Sequence, residues 1–277
     1  MSVLEVLRST AAYFAKRGIE NPRLNAEHLL AHSLGMKRLD LYLGFERDLT
    51  ETELGPLREL VQRRGRREPL QHLLGTVEFC GHTFLCDKRA LIPRPETEEL
   101  VELVGSKIQK PKSKIIDVGT GSGVIALSLA AKFPEAEIAG VDTSDDALTL
   151  ARENAARLDL ERVSFQKSDL LADVDGEFDI IVANLPYVAR HEGEQLAPEV
   201  RCDPQGALFG GEVGDEIVRR LIEAAPSHLQ PGGLLALELG LDQHTTLAAL
   251  LREKKWRDIE TKNDYAGVTR FLSGRYG

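Results

Sequence analysis

The 277-residue sequence is poor in several features that would assign a protein to a class at once. It has three cysteines, Cys80, Cys86 and Cys202, and no C-x2-C pair. An odd number without such a pair argues against both a disulfide framework and a zinc knuckle, so we expect buried or half-buried free thiols and no metal site. No segment approaches the ~18 consecutive apolar residues of a membrane-spanning helix.

The N-terminus has neither the basic start nor the small-residue cleavage site of a secretory signal, so a cytoplasmic protein is expected. The net charge of −9 argues weakly against a large non-specific nucleic-acid surface. The charge is uneven, since residues 1–75 carry a net +2 and the remainder a net −11. This asymmetry suggests two parts with different roles.

Residues 1–75 have the periodicity of amphipathic helices. Apolar positions recur at spacings of three and four, and both Asn21-Pro22 and Thr50-Glu51 resemble helix starts, the second with Glu53 as a capping box. We expect about four helices in a small bundle. The run Arg58–Arg67 holds five arginines and is either a solvated helix face or a docking surface for an anionic partner.

The pattern then changes to strands. Residues 76–92 alternate like a β-hairpin that links two domains, and Pro93-Arg94-Pro95 is an extended segment before a helix from Glu96. Beyond residue 114, strands and helices alternate, which predicts an α/β fold with an open, mostly parallel sheet and helices on both faces. The predicted strands are 115–119, 137–142, 163–169, 178–184, 232–240 and 268–276, and the helices are 124–133, 145–158 and about 215–229. Ligands of such folds bind beyond the carboxyl ends of the strands.

A glycine-rich turn follows the first of these parallel strands. Gly119-Thr120-Gly121-Ser122-Gly123 allows a ligand to approach the backbone closely. Val124 stands where a dinucleotide fingerprint needs its third glycine, and the Gly-Lys-Ser/Thr ending of a P-loop is absent. By itself, the segment could be a simple tight turn.

Three acids surround this turn. Asp117 lies inside the strand before the glycines, where a carboxylate is costly unless it has a function, and Asp142 and Asp169 end the next two predicted strands. Asp142 is placed like the acid that binds ribose hydroxyls in nucleotide folds. Together they suit a ligand with hydroxyls, an adenine amino group and a positive charge, as in S-adenosyl-L-methionine. Each aspartate alone could instead be a cap or turn residue.

The fourth strand ends in Asn184-Leu185-Pro186-Tyr187. The Asn184 side-chain oxygen and the Leu185 carbonyl could accept both hydrogens of a planar NH2 group, while Tyr187 packs against its plane. Pro186 would fix the chain direction. An ordinary turn after a strand is the alternative.

These motifs resemble Rossmann-like S-adenosylmethionine methyltransferases that modify planar amino or amide nitrogens. Residues 67–102, residues 196–222 and the ending AGVTRFLSGRYG narrow the resemblance to the release factor glutamine methyltransferases, the HemK/PrmC family. The similarity covers essentially the whole chain, and residues 67–102 are its most specific part.

The resemblance implies a methyltransferase with a mostly parallel sheet, an antiparallel C-terminal strand and a preceding helical domain. The implied domains are a docking domain (1–75), a hairpin linker (76–92) and a catalytic domain (93–277). The implied activity is methyl transfer to the N5 amide of the glutamine in the Gly-Gly-Gln motif of release factors, which leaves S-adenosyl-L-homocysteine. A monomer with no nucleic-acid or membrane partner is expected.

By the same resemblance, Gly119–Gly123 cradle the methionine part of the cofactor, Asp142 binds its ribose, and Asp169 and Leu170 lie near the adenine. Asp117 and Asn184 are also expected among the cofactor-binding residues. The catalytic residues would be Asn184, Pro186 and Tyr187, and residues 184–187 would bind the glutamine amide.

Two positions depart from the family pattern. Leu185 stands where Pro is usual, and Leu170 where an aromatic residue often lies. Asn-Leu-Pro-Tyr is also a form found in rRNA adenine-N6 dimethyltransferases, so adenine-N6 methylation of RNA or DNA stays a rival, as does a non-enzymatic binding module of the same fold.

Overall fold

The chain forms two compact units. The computed structural model describes all residues from Met1 to Gly277. One unit, here called the helical unit, comprises Met1–Thr76 and Ala197–Cys202, and the other, the sheet unit, comprises Val77–Leu196 and Asp203–Gly277. No helix in the structure is long and apolar enough to span a membrane.

The helical unit contains four α-helices around an apolar core. Buried side chains such as Phe14, Leu29 and Leu54 form this core. At the start of the third helix, Glu53 accepts a hydrogen bond from the Thr50 backbone N–H at 2.9 Å, as the capping-box pattern predicts. The helices are α1 (Val3–Lys16), α2 (Pro22–Ser33), α3 (Glu51–Gly65) and α4 (Leu70–Leu74), with a 3-10 turn at Arg38–Leu43.

The arginine run at the end of α3 is largely neutralised within the chain. Four of its five arginines form ion pairs of 2.6–3.1 Å, namely Arg58–Glu51, Arg63–Glu68, Arg64–Glu199 and Arg67–Glu199. Arg64 is buried and also donates to Asn25 Oδ1 at 2.8 Å. The run is therefore not a fully solvated face, and most of its positive charge is already paired.

A hairpin of β1 (Thr76–Phe79) and β2 (His82–Leu85) follows, and all of its residues except Thr76 belong to the sheet unit. Both turn residues, Cys80 and Gly81, have positive φ angles of 47° and 76°, as a two-residue type I′ turn requires. Cys80 is half-buried and Cys86 buried, and none of the three cysteines forms a disulfide bond. The expectation of burial is wrong for Cys202, which is exposed because it lies in a short 3-10 turn at the surface.

A seven-stranded sheet follows, in the order β10-β11-β9-β6-β3-β4-β5. Five strands are parallel, namely β3 (Lys114–Val118), β4 (Glu137–Asp142), β5 (Ser164–Lys167), β6 (Phe178–Asn184) and β9 (Leu229–Glu238). The pairs of β11 (Thr269–Arg275) with β9 and with β10 (Arg257–Asn263) are antiparallel. The predicted fold class and the antiparallel terminal strand are confirmed. A separate short pair joins β7 (Val188–Ala189) and β8 (Phe209–Gly211).

Helices cover both faces of the sheet. Alternate residues of β6 point to opposite layers, with Ile180 and Val182 in one core and Ile181 and Ala183 in the other. The first core packs against α5 (Pro95–Lys107), α6 (Val124–Lys132) and α7 (Asp145–Arg157), and the second against α8 (Glu216–Ala224) and α9 (Gln243–Glu253). Such two-sided burial explains why β6 is almost entirely apolar.

Three predicted boundaries are wrong. The helix expected to reach residue 229 ends at Ala224, and a 3-10 turn at Ala225–Ser227 separates it from β9, which starts at Leu229 instead of residue 232. The strand β5 ends at Lys167, so Asp169 lies two residues beyond it. At Ser168 the backbone N–H still bonds to Asp142 O, but Leu170 adopts a positive φ of 54° and the chain turns away.

Candidate active site

A cavity of about 370 Å³ lies beyond the carboxyl ends of β3, β4, β5 and β6. Its walls come from the residues that follow these strands, together with Arg89–Leu91, Pro93 and Arg94 from the segment before α5, and Pro204, Gly206 and Ala207. The lining residues predicted from the sequence are Gly119, Thr120, Gly121, Ser122, Asp142, Asp169, Leu170, Asn184, Leu185 and Pro186. Asp117, Gly123 and Tyr187 do not line the cavity.

The glycine turn is held close to the residues that follow β6. Gly119 has a φ of 74°, and a Cβ atom there would lie 2.8 Å from a methyl carbon of Leu185. The backbone N–H groups of Gly119 and Thr120 donate to Val141 O at 2.8 and 2.9 Å, which joins the turn to β4. Both the left-handed backbone and the close approach require glycine at this position.

Asp117 stabilises this turn through hydrogen bonds of its buried side chain. Its carboxylate is fully buried and accepts hydrogen bonds from Thr120 Oγ1 at 2.6 Å and from the Ala126 N–H at 3.2 Å. Burial raises the pKa of Asp117 to about 7, although these two hydrogen bonds act in the opposite direction. Asp117 therefore ties the glycine turn to the first turn of α6, where Gly123 is the N-cap.

Asp142 faces the cavity at the end of β4. Its two carboxylate oxygens accept from the backbone N–H groups of Gly121 and Ser144, each at 2.9 Å. Because a carboxylate has about four acceptor positions, Asp142 can accept further hydrogen bonds from hydroxyl groups in the cavity.

Asp169 and Leu170 line the cavity beside Asp142. Asp169 is half-exposed and forms a 2.7 Å ion pair with Arg220 from α8, and the Leu170 side chain is 8 % exposed. This wall of the cavity thus combines one paired carboxylate with one apolar surface.

The Asn184 side chain is oriented by a threonine that the sequence analysis missed. Asn184 Nδ2 donates to Thr97 Oγ1 in the first turn of α5 at 3.0 Å. An amide oxygen points away from the amide nitrogen, so this bond leaves Asn184 Oδ1 as the group available to accept hydrogen bonds in the cavity.

Tyr187 packs behind the cavity wall. Gln243 Nε2 donates to the Tyr187 carbonyl at 3.0 Å, and a Cβ atom at Gly240 would lie 3.0 Å from the Tyr187 ring. Burial raises the pKa of the Tyr187 hydroxyl. The ring therefore packs close to Gly240, two residues beyond the end of β9.

Glu238 is a second residue beside Asn184 that the sequence analysis missed. It is the last residue of β9, is 2 % exposed, and is the direct strand neighbour of Asn184. Burial raises the pKa of Glu238 to about 7, opposed by the side chains of Thr97 and Asn184 and by the charge of Arg270. A carboxylate in the apolar segment GGLLALELG is the same signal that drew attention to Asp117, and it could have found this residue.

Comparisons with known proteins identify the family. Residues 5–75 match the model of the PrmC N-terminal domain, and residues 97–202 match that of the methyltransferase small domain. The release factor glutamine methyltransferase of Geobacter sulfurreducens is 40% identical over 277 residues, which cover 100% of this chain and 97% of that protein. The chain belongs to the release factor glutamine methyltransferase family.

A second relative extends this result. The release factor glutamine methyltransferase of Deinococcus radiodurans is 41% identical over 282 residues and covers 99% of both chains. The family resemblance stated from the motifs is thereby confirmed, and so is the expectation of an enzyme that transfers methyl groups.

Among solved structures, the fold is shared with a 16S rRNA N2 G1207 methyltransferase from T. thermophilus, solved in complex with AdoMet and guanosine. The TM-score is 0.52 at 19% identity, covering 73% of this chain and 50% of that chain. At this low sequence identity, the structural similarity supports the fold of this family member and nothing beyond the fold.

The site of this family member suits methyl transfer to a neutral NH2 group. The cavity offers hydrogen-bond acceptors at Asn184 and Asp142. No group of three or more His, Cys, Asp or Glu side chains is arranged to hold a metal ion.

Proposed function

We propose that the protein transfers the methyl group of S-adenosylmethionine to the side-chain amide nitrogen of the glutamine in the Gly-Gly-Gln motif of release factors, with S-adenosyl-L-homocysteine as the product. The names of the full-length relatives support this substrate. The observation that carries the proposal is the hydrogen bond from Asn184 Nδ2 to Thr97, which leaves the amide oxygen of Asn184 as an acceptor at the cavity.

The residues of the cavity fit the cofactor. Residues Gly119–Gly123 would hold the methionine part through the backbone of the turn, and Asp142 would accept hydrogen bonds from the ribose hydroxyls, since it still has free acceptor positions. Asp169 and the apolar side chain of Leu170 would lie beside the adenine. When bound, S-adenosylmethionine supplies the electrophilic methyl group.

The residues after β6 would bind the glutamine amide. Asn184 Oδ1 and the Leu185 carbonyl would each accept one of its two hydrogens, so the proline usual at position 185 is not needed for this contact. Pro186 lines the cavity and fixes the chain direction, while Tyr187 would hold the motif in place through its packing against Gly240.

An amide nitrogen is a poor nucleophile because its lone pair is delocalised into the carbonyl group. The protein therefore has to hold this nitrogen in line with the methyl group, and such positioning can contribute up to ~7–11 kcal/mol. The acceptors at Asn184 and Leu185 bind more strongly as the nitrogen becomes positive in the transition state. The proton then leaves to water.

The proposal includes the organisation of the chain. Residues 1–75 would be a docking domain for the release factor, residues 76–92 a linker and residues 93–277 the catalytic domain. A monomeric, cytoplasmic enzyme without a direct nucleic-acid partner is consistent with a protein substrate.

The test is methyl transfer from labelled S-adenosylmethionine to a purified release factor, beside the same factor with the glutamine of its Gly-Gly-Gln motif changed to alanine. We expect label on the first factor and none on the second. Label on both would contradict the proposed site of methylation. Label on neither, with labelled RNA in a parallel reaction, would favour adenine-N6 methylation instead.

A further inference from the structure

The direction of the Asn184 amide decides whether this side chain can bind an NH2 group. With Nδ2 on Thr97, the oxygen of Asn184 is free to accept. If the amide were rotated by 180°, Asn184 would present a second NH2 group to the substrate NH2, and two donors would face each other. The hydrogen bond to Thr97 is therefore the contact that selects the productive orientation.

Thr97 alone does not make this selection. A hydroxyl group can donate one hydrogen bond and accept others, so Thr97 Oγ1 could equally donate to a rotated Asn184. Selection requires a second group that accepts a hydrogen bond from the Thr97 hydroxyl and has no hydrogen of its own to donate. An ionised carboxylate is such a group.

Glu238 lies where this group is needed. It adjoins Asn184 in the register of β6 and β9. Hydrogen bonding from the side chains of Thr97 and Asn184 lowers the pKa of Glu238 against the effect of its burial. Glu238 Oε2 is buried without a hydrogen-bond partner. A buried polar atom without a partner lowers the stability of the folded protein, so its presence beside Asn184 requires an explanation.

We propose that Glu238 is a positioning residue that accepts a hydrogen bond from the Thr97 hydroxyl and thereby fixes the Asn184 amide with its oxygen toward the substrate. The order of donation is Asn184 to Thr97 to Glu238. This inference deepens the proposed function and rests on it for the identity of the amide substrate.

The other charged groups near Glu238 leave it available for this role. Arg270 from β11 is the nearby cation, but its Nε donates to Asp264 at 2.9 Å. Glu96 from α5 contributes a like charge that raises the pKa of Glu238. Glu238 in turn contributes to the raised pKa of Tyr187. Because burial raises the pKa of Glu238 to about 7, the charge of this side chain changes near neutral pH.

The first test measures single-turnover methyl transfer and cofactor Kd for three variants. Thr97→Val removes the hydroxyl at constant shape, and we expect the rate to fall about tenfold or more, as the loss of an oriented hydrogen bond predicts. Thr97→Ser keeps the hydroxyl, and we expect it to restore most of the rate. Glu238→Gln adds an NH2 group that can donate to Thr97 and compete with Asn184, so a similar loss is expected. Cofactor Kd should change by less than about threefold in all three, because none of these groups is assigned to the cofactor.

Matched controls come from the same unit. Glu99 is also a buried glutamate with an unpartnered Oε2, but its Oε1 accepts from the Tyr265 N–H, and it lies outside the cavity. Thr149 is a helical threonine whose hydroxyl donates to Asp145 O within α7. We expect Glu99→Gln and Thr149→Val to keep the wild-type rate. Equal losses in Glu99→Gln and Glu238→Gln, or in Thr97→Ser and Thr97→Val, would overturn the inference.

A double-mutant cycle tests whether the two residues act in one chain. If they do, the variant with both Thr97→Val and Glu238→Gln should lose no more than about threefold beyond the worse single variant, since the second change removes nothing further. Losses that multiply would show independent roles and contradict the relay.

A measurement without substrate separates this inference from the proposed function. The side-chain NH2 resonances of Asn184, assigned by their loss in Asn184→Ala, should shift as Glu238 titrates. We expect this shift to disappear in Glu238→Gln and to become much smaller in Thr97→Val, where only the direct interaction of Glu238 with Asn184 remains. A shift that persists in Glu238→Gln, or that keeps its wild-type size in Thr97→Val, would overturn the relay, even if the wild-type protein methylates release factors. If the variants change the shift as expected but the wild-type protein labels no release factor, the relay is upheld and the proposed substrate is contradicted.

Discussion

At the scale of single residues, burial separates acids that the sequence presents as equivalent. Asp117 and Asp142 both lie at the ends of parallel strands beside the glycine turn. Asp117 is fully buried and ties the turn to α6, whereas Asp142 lines the cavity and keeps acceptor positions free. The first determines the shape of the turn, and the second can bind a ligand directly.

Asn184 is the residue for which the proposed function makes its sharpest claim. We expect Asn184→Ala to lower the single-turnover rate about 100-fold or more, because one of the two acceptors for the amide is lost and such preorganised contacts are worth that much. Cofactor affinity, measured by calorimetry, should change far less.

The matched control is Asn263→Ala. Asn263 lies on the polar strand β10, where its side chain accepts from Thr269 Oγ1. We expect this variant to keep the wild-type rate and affinity. If Asn184→Ala weakened cofactor binding as much as turnover, Asn184 would have no separate part in the chemistry.

At the scale of elements, the sequence predicts the buried parallel strands well. A strand covered on both faces must be nearly all apolar, as in β6, and a glycine turn marks where a strand meets a helix. The edge strand β10 and the helix α9 were not predicted. In β10 only Ile259 is half-buried and every other residue is exposed, so its sequence has no apolar alternation to detect.

The residues of the candidate site could likewise be predicted only in part from the sequence. The residues after β3, β4 and β6 could be predicted because each follows a recognisable strand. Thr97 and Glu238 could not be paired with Asn184 from the sequence, since Thr97 lies 87 residues away and Glu238 meets Asn184 only through the register of β6 and β9. Which strands are neighbours, and in which register, is decided by packing of the whole sheet.

Gly140 in β4 gives a prediction at this scale. A Cβ atom there would lie 2.7 Å from Thr120 Oγ1 and 2.8 Å from the Phe165 ring, so Gly140→Ala must displace the glycine turn or β5. We expect a loss of about 1–3 kcal/mol in the free energy of unfolding, the usual cost of overpacking. Urea unfolding measures it.

Gly274 in β11 is the matched control. A Cβ atom at Gly274 would lie 3.5–3.6 Å from its neighbours, which is ordinary van der Waals contact. Gly274→Ala should therefore cost little or nothing. Equal destabilisation by the two substitutions would mean that the close contacts at Gly140 relax without cost and that alanine itself is unfavourable in these strands.

At the scale of the whole molecule, the two carboxylates with a raised pKa both lie in the sheet unit. In the helical unit, ion pairs and hydrogen bonds lower the pKa of Glu51, Glu68 and Glu199. A lowered carboxylate pKa contributes stability that is lost as pH falls through it. The sheet unit has such groups too, but it also buries Asp117 and Glu238, whose pKa values are raised to about 7. Their contribution is present at low pH and is lost as pH rises toward neutrality.

The sheet unit should therefore become less stable between pH 5 and pH 8. Trp256 is the only tryptophan, is 5 % exposed and lies in the core of the sheet unit, so its fluorescence reports unfolding of that unit. We expect the urea midpoint to fall over this range, because each unit of raised pKa corresponds to ~1.4 kcal/mol between the two protonation states.

Asp117→Asn isolates the contribution of the fully buried carboxylate. An amide oxygen can still accept from Thr120 or Ala126, but it has no charge to desolvate at high pH. The fall of the midpoint between pH 5 and pH 8 should therefore be smaller in Asp117→Asn than in the wild-type protein, and smaller again when Glu238→Gln is added. A wild-type midpoint that stays constant or rises over this range would mean that both carboxylates remain ionised in the folded state. Glu238 would then be charged throughout the neutral range, and the Asn184 resonances would show no titration near pH 7.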